Sequence, residues 1–490
     1  MDSSSAFRIV FTAAVLAIAA PAHAQTAAEL AFQNAVTAPP PGYTGPVFKL
    51  SKDFPQSLPA KCTNCPWLDV KVNFTPQFPT GKGKKGKELP DPKRIDWVFG
   101  EWDLYLKTIL DYVKDGQDPN FANDPGFKID VGGQTRWFNV PWMAYDVTVG
   151  REFVHGTTNE RSAHLVDLLH PRRVRIRTAR ELHGVSELPG MVQSASCKAA
   201  NKAGFETWSV GYYNNWGALA IGKAVPPDGV PKTADFMGSQ MAAGLPFPQG
   251  TVVVKFLTTT ATPDCVPYLK GSPEWQIDRH VLQNNGKYSC ERKVQTSRIV
   301  QVDVAVTDDR SPTGWVYATY VYNGEQRGAQ TFWEHLLPLG IQFGSDPWTF
   351  PAVPKAESLP LQQSVINPGV KGYERFTSLY QHLGCEGRLA GPVDNAQSSC
   401  LSCHGSAFAA PVGQLTQLGT NVPSSFGFPG MCTNYSTANA AYFNNIVAPQ
   451  SFSIGTFPNA VGLDTSLQLE VAFQQYGNFA NKQPNSCGLK

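Results

Sequence analysis

Apolar residues recur at helical spacing in one long segment of the first half of this chain. Trp97, Val98, Trp102, Leu104, Tyr105, Ile109 and Tyr112 predict an amphipathic helix over residues 95–114, closed by Gly116. Beyond it the period drops to two. Residues 207–213, 251–257, 297–307 and 314–322 are rich in β-branched and aromatic side chains and predict strands of an antiparallel sheet. At 173–177 three arginines alternate with Val174 and Ile176, which suits the wet face of an edge strand or, alternatively, a basic docking strip for a partner. Asn284-Asn285-Gly286 between Val281 and Tyr288 is a hairpin or turn signal. The strand pattern is expected to stop near residue 355, with short helices at 373–383 and 467–476. The fold class expected is α+β: a large antiparallel β-rich N-terminal domain followed by a mostly helical or irregular C-terminal segment.

Composition narrows the classes. At 490 residues, 42% hydrophobic and 16% charged, the chain is not a coiled coil, a collagen-like fibre or a charged disordered tail. Its 41 basic and 39 acidic residues call for no nucleic-acid partner. Residues 1–24 read as a signal peptide: Arg8 forms a thin positive region, 9–20 is apolar, and Ala22-His23-Ala24 is a cleavage site. The alternative is an uncleaved anchor. No later run reaches eighteen apolar residues, so no integral membrane segment is expected after cleavage, and the product is expected in the periplasm. Residues 25–92 form a Pro/Gly-rich arm whose lysine run at 81–87 suits a solvated loop or, alternatively, a docking patch. The β-rich domain then covers 93–355 and the last segment 356–490. From 405 onward only Asp464, Glu470, Lys482 and Lys490 are charged, as in a segment wrapped around something apolar.

The chain has ten cysteines, all beyond the cleavage site, which in an exported protein points to disulfides unless some serve another use. Two of them do. Cys400-Leu401-Ser402-Cys403-His404 is a C-x-x-C-H string, in which two thiols one short turn apart add to the two haem vinyl groups while the next residue's imidazole sits under the iron. Haem c, one copy, is therefore the expected cofactor, with Cys400 and Cys403 binding it and His404 the proximal iron ligand. Cys62-Thr63-Asn64-Cys65 is followed by Pro66, so that pair suits a small disulfide loop. Cys265 with Cys290 is expected to close a strand excursion, and Cys385, Cys432 and Cys487 to brace the haem segment.

The opposite face of the iron decides the activity. A methionine there makes a closed electron-transfer site, whereas an open face admits small ligands or catalysis. Met431 is the only methionine after the motif and is the candidate sixth ligand, with a packed gap-filling side chain as the alternative. His382 is a second candidate. His155, His164, His170, His183, His280 and His335 show no metal-ligand spacing. The aromatic runs 137–145 and 208–216 suit core packing, or else the wall of a haem pocket or substrate cleft. No nucleophile elbow, phosphate loop, zinc-protease or dinucleotide fingerprint is present.

Through Cys400–His404 the chain resembles bacterial exported c-type cytochromes. A fainter likeness lies upstream, where residues 247–255 and then 314–317 precede the C-terminal motif in an order similar to that of the cytochrome P460 family. That resemblance implies an antiparallel sheet against a C-terminal haem c, a five-coordinate iron with His404 proximal, hydroxylamine oxidation or nitric oxide binding, and in some members a haem-linked lysine. Two readings follow: a periplasmic electron carrier with a redox partner protein, or a haem-dependent oxidoreductase or NO/CO-binding protein with an open distal site.

Overall fold

A computed structural model of the chain describes residues 42–47, 51, 53–57, 65–75, 80–82, 88–90, 99–121, 126–139, 158–159, 194–197, 199, 207–225, 247–282, 288–347, 361–367, 388–389, 399–405, 407–409, 445, 451–454, 457–470 and 472. The leader 1–24, the lysines of 83–87, the arginine strip 173–177, the helix expected at 373–383, His382 and Met431 lie outside the described residues.

The expected helix forms as α1, Phe99–Lys114. Gly116 ends it at φ +75°, where only glycine is unstrained, and a Cβ there would sit 2.2 Å from a Val131 methyl. Nine strands build one antiparallel sheet: β1 Trp137–Asn139, β2 Thr158–Asn159, β3 Thr207–Asn214, β4 Val252–Thr259, β5 Glu274–Leu282, β6 Tyr288–Thr307, β7 Trp315–Tyr322, β8 Leu336–Gln342 and β9 Ser364–Ile366. Their order is β9-β8-β7-β6-β4-β3-β1, with β2 on β3 and β5 on β6. The long β6 serves two partners: Tyr288 to Arg298 pair with β5, and Arg298 to Val306 with β4, the register shifting between Ile299 and Gln301. Tyr288 lies opposite Leu282, as a hairpin between β5 and β6 requires.

Three features of the sheet differ from the sequence reading. β5 and β8 were not expected, because Glu274–Leu282 mixes charge into its alternation and Leu336–Gln342 contains Pro338 and Gly340. Strand pairing also continues past residue 355, since β9 pairs with β8. The third is a helix, α2, Asn215–Ala224, that begins inside the aromatic run 208–216. Asn214 caps it, accepting from Gly217 N at 3.2 Å.

Alternation gives the sheet two buried faces. Trp137, Tyr212, Val254, Phe256, Val302, Val304, Val316 and Tyr320 point to the α1 side, where Trp102, Tyr105, Leu106, Ile109 and Val113 meet them. Phe138, Tyr213, Trp315, Tyr317 and Leu339 point the other way, onto α2 and the C-terminal segment. The arm lies over the body: Trp67 is fully buried, and Arg310 donates to Val70 O and Trp67 O at 2.7 and 3.1 Å.

The expected Cys265 to Cys290 disulfide is corrected. Cys265 is bonded to Cys197, with the Cα atoms 5.4 Å apart, joining the turn after β4 to a segment 68 residues upstream. Cys65 is also in a disulfide.

Candidate functional site

Cys400–His404 forms a short helix, α3. Two elements hold its start: Cys400 N donates to Leu389 O at 3.0 Å, and Leu401 N donates to Gln342 Oε1, at the end of β8, at 3.1 Å. These acceptors satisfy N–H groups that a helix start leaves without intrahelical partners. Gly405 N then closes onto Leu401 O at 2.7 Å. Cys400 is a buried thiol, and Leu401 and Ala407 are buried with it, so the motif is set into the apolar layer on the sheet rather than displayed on the surface. The side chain of Cys403 lies outside the described residues.

His404 is half-buried, with Nδ1 2.7 Å from the carbonyl oxygen of Thr465. A carbonyl can only accept, so Nδ1 carries the proton and Nε2 keeps the lone pair that a metal would take. The Tyr317 ring, on β7, lies 4.8 Å from the imidazole at 39°. Its hydroxyl shares a 2.6 Å hydrogen bond with Thr465 Oγ1. Thr465 therefore touches the histidine through its backbone and the sheet through its side chain.

The preceding residue is anchored more deeply. Asp464 accepts from Phe247 N at 2.6 Å through Oδ2 and from Trp315 Nε1 at 2.8 Å through Oδ1. Burial pushes this carboxyl up to about 7; the two N–H donors act against that, and Asp309 adds to it. Asp464 and Thr465 both adopt left-handed backbone, φ +47° and +63°. Next to them Ser466 Oγ accepts from Leu469 N at 3.3 Å, capping the helical turn at 467–470 within the helix expected at 467–476.

On the same face of the sheet, one pair along from Tyr317, Thr319 and Gln301 both donate to Asp303 Oδ1, at 2.8 and 2.6 Å. Lys255 lies opposite Asp303 across β4 and β6, and both are half-buried among fully buried neighbours. The sheet thus offers a row of polar groups beside the row that reaches His404.

The structure brings His404 and Cys400 to the sheet; Met431 lies outside the described residues. Trp137, Trp208 and Tyr212 of the two aromatic runs are core residues, as the packing alternative expected, while Phe138 and Tyr213 face the layer that holds α3. His335 gives its Nδ1 to Asn323 O at 2.9 Å, a structural bond. Asp464, Thr465 and Asp303 were not singled out from sequence. Asp464 left one trace there, as one of four charges after residue 405. Asp303 left none, being a charge inside a strand like any solvated one. Among the described residues no group of three or more His, Cys, Asp or Glu is placed to hold a metal ion, and a haem iron carried on one imidazole does not require such a group. No protein-family model, no curated protein and no solved structure matches the chain.

Proposed function

We propose that this protein is an exported c-type cytochrome with one haem c, thioether-linked at Cys400 and Cys403, with His404 as proximal ligand, that transfers electrons to a partner protein in the periplasm. The observation that carries the reading is the 2.7 Å bond from His404 Nδ1 to Thr465 O, which presents Nε2 of the histidine in a C-x-x-C-H helix as the ligating nitrogen. The residues present fit the group: a buried thiol, an oriented imidazole and an apolar layer around them. The haem would supply a one-electron ferric/ferrous couple.

The chain's own part is orientation and exclusion of water. Thr465 O holds the imidazole in one tautomer and raises its basicity. Tyr317 fixes its tilt, and burial keeps the Tyr317 hydroxyl protonated far above its ordinary range, so that side chain stays neutral beside the histidine. Among the described residues no helix is long and apolar enough to cross a membrane. Met431 remains the proposed sixth ligand of this reading.

The Asp303 row favours a second reading, a haem-dependent oxidoreductase or NO/CO-binding protein with an open distal site. A half-buried carboxylate with two donors on one oxygen is the acid–base group such an enzyme needs.

Covalent haem on a denaturing gel tests the first claim. We expect staining in the wild type and its loss in the double variant Cys400→Ser, Cys403→Ser; staining that survives both substitutions sinks the assignment. The reduced spectrum with and without carbon monoxide then divides the readings. No shift, and a changed potential in Met431→Ala, supports the carrier; stoichiometric binding supports the open site.

A further inference from the structure

We propose that Asp464 and Thr465 are positioning residues: a strained two-residue turn, pinned to the sheet by Trp315 and Tyr317, that fixes the imidazole of His404 and thereby sets the redox potential. The inference rests on the haem reading above and adds to it the device that tunes the ligand.

The argument begins with backbone conformation. Two consecutive non-glycine residues at φ +47° and +63° are uncommon, and a β-branched threonine in that region is disfavoured by clash of its side chain with the backbone. Such a turn is strained and persists only where surrounding bonds over-determine it. Here they do. Both carboxyl oxygens of Asp464 are held, by Phe247 N and by Trp315 Nε1, and the Thr465 hydroxyl is held by Tyr317. What the turn delivers is the Thr465 carbonyl, aimed at His404 Nδ1. An extended or helical backbone at 464–465 would direct that carbonyl elsewhere.

Trp315 and Tyr317 stand two apart on β7, so their side chains share one face, and their rings are 6.2 Å apart. The same strand therefore pins both residues of the turn and also packs Tyr317 on the imidazole. Rigid sheet, strained turn and ligand form one connected unit.

A strong Nδ1–H to carbonyl bond makes the imidazole a better donor to iron and favours the ferric state, so loosening the turn is expected to raise the potential. The experiment measures covalent haem content and reduction potential in the full-length holoprotein and in Asp464→Asn, Trp315→Phe, Tyr317→Phe and Thr465→Ser. Asparagine offers one acceptor oxygen where two are needed. We expect Asp464→Asn and Trp315→Phe to retain haem and shift the potential upward. The double variant should shift less than the sum of the two single shifts, because both substitutions act on the Asp464–Trp315 contact. Tyr317→Phe should shift it in the same direction, and Thr465→Ser, which keeps hydroxyl and carbonyl, should restore the wild-type value. If Asp464→Asn does not fold, Trp315→Phe and Tyr317→Phe decide the matter alone. Haem-loaded variants with the wild-type potential overturn this inference and leave the cytochrome reading standing; a wild type without covalent haem overturns both.

Discussion

The two faces of the nine-stranded sheet share every strand and differ in what covers them. On the α1 side the cover is aromatic and aliphatic: Trp102 stacks on Phe343 with ring centroids 4.8 Å apart, and Phe74 meets Trp102, Tyr105 and Phe343 edge-on. On the other side, Tyr317, Trp315 and Tyr213 direct hydroxyl and indole groups at a turn that holds a buried carboxyl and two left-handed residues. Three side chains of the sheet converge on one strained turn on the face that carries His404. The difference teaches that the sheet is one support with a packing side and a positioning side, as expected where a site is built on a rigid element.

The sharpest way to break this comparison is to damage the packing side and watch the other. Trp102→Ala removes a side chain that is 2% exposed, and large-to-small changes of this kind cost about 3–5 kcal/mol. A lowered urea midpoint is expected, with the spectrum and potential of the folded holoprotein unchanged. A shifted potential would show that the two faces are coupled through the sheet and that their separation is not real.

Asp464 sharpens the comparison from the positioning side. Its folded carboxyl titrates at about 7, above the ordinary 3.8, so the native state binds this proton more tightly than the unfolded chain does. The contribution is therefore complete below the ordinary carboxyl range and is lost as pH rises through about 7. At about 1.4 kcal/mol per unit the loss is of order 2–4 kcal/mol. Urea midpoints at pH 5 and pH 8 are expected to show the wild type losing more stability across that interval than Asp464→Asn, which cannot ionise. Equal losses would remove the buried carboxylate from the account.

How much of this was legible beforehand depends on the kind of signal. α1 and the strands at 207–214, 252–259 and 315–322 were readable because their periodicity is local and each buries a regular set of positions. Glu274–Leu282 and Leu336–Gln342 were not, because their pairing partners, not their own pattern, make them strands. At the site, the C-x-x-C-H string was legible because its residues are contiguous. Asp464 and Thr465 come to His404 from about 60 residues away, and their left-handed backbone is held by Phe247, Trp315 and Tyr317 from two other parts of the chain. No pattern within the segment itself encodes that convergence. The Cys197 to Cys265 pairing failed to appear for the same reason.

The smallest effect is expected at a buried polar contact that α1 makes just past the end of β6. Tyr105 OH donates to Asp308 Oδ2 at 2.8 Å, while Arg310 donates to both oxygens of that carboxylate. Burial and the neighbouring carboxylate keep the Tyr105 hydroxyl protonated, so it acts as a donor throughout the accessible pH range. Tyr105→Phe deletes one donor and leaves Asp308 its arginine, so the carboxylate keeps a charged partner in place of becoming an orphan. The expected loss is about 1.5–3 kcal/mol, the range for a hydrogen bond to a charged group. It should be independent of pH between 5 and 8, in contrast to the loss tied to Asp464. Urea titrations at the two pH values read this directly. A pH-dependent loss in Tyr105→Phe would place a titrating group on the packing side as well, and the division of the sheet into a packing face and a positioning face would no longer hold.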